Sequence, residues 1–234
     1  AATKSGTNDF HGEAFYRYTD EDMRARTPAE KQPGEDKTSS AEKEYGFALG
    51  GPIIQDKLHF FVTYEAKRFD LPVTIVPDGA ATGAVSSLPA NAAAQLGPAS
   101  QAFKQDLFFG KIDWEPTDAD RFELSYQDRD ETQDGFSGST APSSGTTTDN
   151  YDKRYALRWN HSAYSWYNEV LLTHEDSYNN PLPRTYGNGY VYTTPNGDQD
   201  PTVIQVGGAS PLSAQTKGQK GWSIEDNLTL NSFS

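Results

Sequence analysis

The sequence predicts an all-β, antiparallel fold, a transmembrane β-barrel segment of about eight strands, with long extracellular loops and short periplasmic turns. Three observations lead there. Apolar and polar residues alternate with a period of two in segment after segment, the connections between those segments alternate short and long, and aromatic residues abound in a chain that is otherwise polar. Hydrophobic residues make up 35% of the 234, but 13 Tyr, 12 Phe and 4 Trp bring the aromatic share to 12%. A disordered chain of that polarity lacks the aromatic surface that burial requires, so this composition belongs to a folded chain.

The strands follow in order. Residues 10–19 place Ala14, Tyr16 and Tyr18 on one face and Glu13 and Arg17 on the other, with Phe15 out of pattern. Residues 44–51 set Tyr45, Phe47 and Leu49 against Gly46, Ala48 and Gly50, a nearly bare face that admits close approach of another piece of chain. Residues 58–68 align Leu58, Phe60, Val62 and Tyr64 against His59, Thr63 and Glu65, and residues 107–114 align Phe108, Ile112 and Trp114 against Lys111 and Asp113. The fifth is the cleanest: Phe122, Leu124 and Tyr126 alternate with Arg121, Glu123, Ser125 and Gln127. The sixth sets Tyr155, Leu157 and Trp159 against Arg154, Arg158 and Asn160. The seventh, residues 166–178, is ambiguous because Val170, Leu171 and Leu172 run together. The eighth aligns Trp222, Ile224, Leu228 and Leu230, and Asp226 is an exception on that apolar face.

The connections at 53–57, 115–120 and 162–165 are short, whereas 20–43, 70–106, 132–151 and 181–221 are long and rich in turn-forming residues. Compact soluble domains rarely carry several such loops, and outer-membrane barrels do as a rule. Trp114, Trp159 and Trp166 fall beside short turns and Trp222 beside a long loop, the positions of girdle residues at the two membrane interfaces.

Two stretches resemble the TonB-dependent receptors of the Oar-like group. Residues 3–12, Thr-Lys-Ser-Gly-Thr-Asn-Asp-Phe-His-Gly, are similar to the junction where the plug of such a receptor meets its first barrel strand. Residues 45–65, from Tyr-Gly-Phe-Ala-Leu-Gly-Gly-Pro to Phe-Val-Thr-Tyr-Glu, are similar to its second and third strands, and residues 220–230 to a later one. The resemblance implies residues 1–9 as the end of a plug and 10–234 as the N-terminal part of a barrel of about 22 strands. It also implies the bacterial outer membrane as location and binding and energised uptake of an extracellular ligand as activity. The implied partners are outer-membrane lipid, the receptor's own plug, and the TonB complex, reached through an N-terminal segment outside this chain. Two alternatives remain open on the residues alone: a complete eight-stranded barrel with a structural or adhesive role, whose first and last strands pair, and a soluble, secreted, carbohydrate-binding β-sandwich.

The candidate site residues are correspondingly of two kinds. Glu13, Arg17, Glu65, Arg121, Glu123, Arg129, Arg154 and Arg158 lie on polar faces and are expected to face a hydrated lumen. Tyr186, Tyr190 and Tyr192 in the last long loop are expected to contact ligand, since tyrosine offers contact area at little entropy cost. Catalytic chemistry finds no support: nucleophile elbow, phosphate loop and dinucleotide fingerprint are absent, and there is no cysteine. No cofactor is implied. The histidines lack metal-ligand spacing, and the acidic runs 128–135 and 196–200 do not match a calcium loop, so no metal site is assigned. A net charge of −13 with dispersed basic residues excludes a nucleic-acid partner.

Overall fold

The computed structural model describes residues 4–31, 36–195, 200–210, 212 and 214–230. Eight long strands form one antiparallel meander: β1 (His11–Asp20), β2 (Ala41–Ile54), β3 (Leu58–Ile75), β4 (Gly97–Trp114), β5 (Asp120–Gly135), β6 (Thr146–Ser162), β7 (Trp166–Pro183) and, after a two-stranded excursion, β10 (Lys217–Leu230). The excursion pairs β8 (Gly189–Thr193) with β9 (Thr202–Gly207). Every one of the eight expected strands is present. β1 pairs only with β2 and β10 only with β7, so the first and last strands stay unpaired with each other and the sheet is open. That corrects the closed eight-stranded alternative.

Register is what makes the sheet two-sided. Because side chains alternate, a pairing that keeps apolar opposite apolar in one strand pair propagates to the next. One row runs Leu58, Trp114, Phe122, Trp159 and Val170 across β3 to β7, and another runs Ile112, Leu124, Leu157, Leu172 and Ile224 across β4 to β10. The ambiguous seventh strand is resolved the same way: Val170 and Leu172 join the apolar rows, while Leu171 lies opposite Arg158 on the polar face. No second layer covers the apolar face among the described residues. Leu124 is 50% and Leu157 41% exposed, the reverse of their place in a β-sandwich core, which corrects that alternative.

The strands run further toward the long loops than the sequence predicts, and they carry prolines there. Pro72 in β3 lies beyond Asp70, the last residue paired to β2. Pro98 in β4 lies beyond Phe103, where pairing to β5 stops, and Pro181 and Pro183 in β7 lie beyond Asn179, where pairing to β10 stops. Each therefore sits where a strand has a neighbour on one side only, the setting in which a missing N–H is tolerated.

The long loops are not featureless. Residues 76–96, 136–145, 184–195 and 200–210 fold against one another around Ile75, Ala92, Phe136, Ala141, Ile204 and Val206, all buried, with Val73, Leu88, Leu96, Ala99 and Tyr192 packed on them. Backbone bonds stitch the three loops together: the Val76 amide donates to Gly138, the Asp78 amide to Thr202, and the Ala141 amide to Gln205. Loop segments of this length hold a fixed shape only when they bury a core of their own, and this cap does.

Candidate functional site

The polar face gathers all eight charged candidates. Arg17 pairs with Glu44 at 3.2 Å, Glu65 with Lys67 at 3.0 Å, Arg129 with Glu131 at 3.9 Å, Arg158 with Glu169 at 3.7 Å, and Arg154 with Glu175. Glu13 reaches Lys4 at 4.0 Å. Apart from Glu13–Lys4, which ties the N-terminal segment to β1, the pairs link neighbouring strands or residues two apart on one strand, as period-two geometry demands.

At the short-turn end these pairs close into a network. Arg121 lies 3.1 Å from both Asp113 and Glu123 and 3.7 Å from Glu115, and Lys111 lies 3.3 Å from Asp113 and 3.1 Å from Glu123. Lys111 and Asp113, 5% and 3% exposed, are the buried heart of it. Sequence reasoning placed both on the polar face without choosing them as site residues. The available signal was Lys-x-Asp on one strand facing Arg-x-Glu on the next.

Segment 4–9 crosses this end of the polar face. Ser5 Oγ accepts a bond from Lys111 Nζ at 2.9 Å, and Asn8 clasps the β2–β3 turn. The Asn8 side-chain oxygen accepts from the Asp56 amide at 2.8 Å and lies 2.8 Å from His59 Nε2, while its nitrogen donates to the Asp56 carboxylate at 2.5 Å. Asp56 has φ +62°, a left-handed turn conformation that Asp tolerates and that this clasp stabilises. The bare strip on β2 does admit a piece of chain: Gly6 lies so close that a Cβ there meets the Phe60 carbonyl at 2.3 Å and the Gly51 carbonyl at 3.0 Å. Only glycine fits this crossing. Several polar atoms on the same face stay buried without a hydrogen-bond partner, namely Asp113 Oδ2, Arg121 Nε, Arg158 Nε and Asn160 Oδ1.

The tryptophans on the apolar face belong to two aromatic rows. Beside the short turns, ring centroids step from Trp114 to Phe122 (5.4 Å), Trp159 (6.2 Å), His161 (6.0 Å) and Trp166 (4.7 Å). Toward the loops they step from Phe108 to Tyr126 (6.0 Å), Tyr155 (4.6 Å), His174 (6.0 Å) and Trp222 (4.4 Å). Beyond that second row the same face turns charged, with Arg68 Nη2 donating to both Asp106 oxygens at 2.7 Å and Lys220 to Asp176 at 2.9 Å.

In the loop cap the three tyrosines separate. Tyr192 turns onto the cap's core, whereas Tyr186 and Tyr190 are 51% and 55% exposed. The acidic run 128–135 lies inside β5, not in a loop, and alternation sends Asp128 and Asp130 to one face and Arg129 and Glu131 to the other. Within the second acidic run, residues 196–199 lie outside the described residues.

The β1–β2 loop holds a knot of its own. Buried Glu30 takes two bonds from Arg24, at 2.7 and 2.6 Å, and accepts from the amides of Thr27 and Thr38 at 2.7 and 2.6 Å. The Arg24 guanidinium, then the Thr27 amide, hold its carboxyl far below the ordinary glutamate value of 4.5. A depressed carboxyl stabilises the folded loop above its unfolded value and loses that contribution as pH falls toward the folded one. The loop is therefore expected to loosen as pH drops below about 4.5. Protection of the Thr27 and Thr38 amides, corrected for the intrinsic exchange rate at each pH, should fall there in the native protein, and already at neutral pH in Glu30→Gln. Unchanged exchange in that variant would disprove the knot.

A single antiparallel meander with one apolar and one charged face is the wall of an outer-membrane β-barrel, and residues 2–96 match the family model of the outer membrane beta barrel domain. The chain thus has the strand arrangement of part of such a barrel. Over 68 residues it is 34% identical to the TonB-dependent transporter Oar of Myxococcus xanthus, a match covering 27% of this chain and 6% of that protein. Its fold is similar to that of the outer membrane transporter YddB from Escherichia coli, with a TM-score of 0.64 at 12% identity over 97% of this chain and 29% of that one. The chain therefore spans a small part of the length of both relatives.

Proposed function

We propose that this chain forms part of the barrel wall of a receptor that binds a ligand at the cell surface and takes it up with energy relayed by TonB, without catalysing a reaction. The apolar face meets lipid, its two aromatic rows act as the interface girdles, and the charged face lines a lumen filled by the receptor's own plug. Residues 1–9 are the end of that plug, and residues from 10 onward are barrel.

The observation that carries this reading is the seat of segment 4–9 on the polar face, tied through Ser5 to Lys111 and through Asn8 to the β2–β3 turn. A chain entering the barrel from a central plug arrives on that side. Asp113 Oδ2 and Asn160 Oδ1, buried without a hydrogen-bond partner, lie on the same face, and buried polar atoms require partners. A plug surface supplies them. Above, the folded cap offers Tyr186 and Tyr190 to a ligand on a platform that needs little ordering on binding.

Energy dependence is the test. Cells carrying the intact receptor are offered labelled peptides, oligosaccharides and metal chelates, with and without TonB. At least one probe should accumulate when TonB is present and remain surface-bound when it is absent. Accumulation indifferent to TonB would overturn the reading.

A further inference from the structure

Among the described residues, the charged pairs on the apolar face of the sheet lie toward the loop side, as Arg68–Asp106, Lys153–Asp128 and Lys220–Asp176, or beside a short turn, as His161–Asp120. Asp226 is in none of these pairs and sits elsewhere. It shares its face of β10 with Trp222 and Ile224 on one side and Leu228 and Leu230 on the other. Its cross-strand neighbour on β7 is Val170, while Trp222 lies opposite His174 and Leu230 opposite Trp166. Both aromatic rows thus end on this strand pair, and Asp226 stands midway between them. A second polar group nearby also lacks a partner: Asn168 Oδ1, one step away in register opposite Leu228, is buried without a hydrogen bond.

An isolated carboxylate amid an apolar band is costly to leave ionised and alone. On the β7 side its neighbour is aliphatic. The other side of β10 is a free edge, with its backbone donors and acceptors unpaired. We propose that the free edge of β10 is occupied by a further antiparallel barrel strand that places a lysine or arginine directly opposite Asp226, forming a lipid-embedded ion pair that fixes the register of that junction. Directly opposed residues in an antiparallel pair have Cβ atoms about 4.5–5.5 Å apart, within easy reach of a long cationic side chain. A slip of one residue would turn the cation to the lumen and leave Asp226 bare, so the pair selects one register over its neighbours. The inference rests on the apolar face meeting lipid.

The test is the sign of a stability change in the intact receptor purified in detergent. Asp226→Leu removes a charge from the band: if Asp226 faces lipid alone, the urea midpoint rises. If it is paired, the variant strands a cation and the midpoint falls, by about 1 M. The fall is the expected result. Asp226→Lys should be worse still, and exchanging the opposite cation for Asp in that variant should restore the midpoint, which identifies the partner residue. Ile224→Asp separates this proposal from the membrane reading. Should Ile224→Asp lower the midpoint while Asp226→Leu raises it or leaves it unchanged, the ion pair is refuted and the lipid-facing assignment stands. An Ile224→Asp variant as stable as the parent overturns both. Destabilisation by Asp226→Leu in whole membranes that vanishes on purification places the cation in another protein, which also overturns the proposal.

Discussion

Replacing Lys111 with methionine should destabilise the intact receptor by about 3–5 kcal/mol, read as urea unfolding in detergent. Methionine keeps the length and packing of the side-chain stem and removes only the ammonium. The group it removes is 3.3 Å from Asp113, 3.1 Å from Glu123 and 2.9 Å from Ser5, at a position 5% exposed. Asp113 would then lean on Arg121 alone, with Oδ2 already unpartnered. A stranded buried carboxylate costs far more than the pair contributed, so removing the carboxylate as well should recover much of the loss. Lys111→Met combined with Asp113→Leu is accordingly expected to be more stable than Lys111→Met by itself. Additive losses in the double variant, or a single variant within about 0.5 kcal/mol of the parent, would show that the network is solvated and contributes little.

Lys111 also marks where sequence reasoning stops. Its strand and its face were legible, because Phe108, Ile112 and Trp114 alternate with Lys111 and Asp113, and period two fixes the side on which each residue lies. Burial was not legible. Segment 4–9 crosses the polar face there and brings Ser5 to a residue more than a hundred positions away, a contact that no local pattern encodes. The bare strip of Gly46, Ala48 and Gly50 announced that something approaches closely without saying what.

The same division runs through the rest of the fold. Strand ends are hidden in the sequence where both faces turn polar or where a proline interrupts the alternation, as Pro72 does in β3. Residues 128–135 and 146–153 continue the ladder from β5 to β6, but with Asp, Glu, Thr and Asn on both sides they carry no hydrophobic alternation. Pro72, Pro98, Pro181 and Pro183 pointed to loop, and were accommodated because one neighbour ends before each of them. The cap escaped notice for a different reason. Ile75, Phe136 and Ile204 come from three separate connections, and only tertiary packing brings them together. Tyr192, which resembles Tyr190 in sequence, is drawn into that core while Tyr190 is not.

Leu124→Arg should cost the intact receptor about 2–4 kcal/mol, although half of the side chain is exposed in the isolated sheet. In water, a leucine this open tolerates arginine with an effect of about 0.5 kcal/mol, since little apolar contact is lost. The predicted cost arises from the medium. Leu124 lies in register between Ile112 and Leu157, with Phe122 and Tyr126 on either side along its own strand, so no carboxylate on that face lies directly beside it to receive a guanidinium. The control is Ala156→Arg on the adjacent strand. Ala156 lies opposite Ser125 and Thr173 on the charged face, one residue from Leu157, and an arginine there enters a wall that already holds Arg154 and Arg158. Its cost should stay below about 1 kcal/mol. One strand step and one flip of face thus separate a severe substitution from a mild one, and only a sheet with lipid on one side and water on the other produces that contrast. If both variants unfold at the parent's urea midpoint, the apolar face does not meet lipid, and the girdle, lumen and plug assignments fall with it.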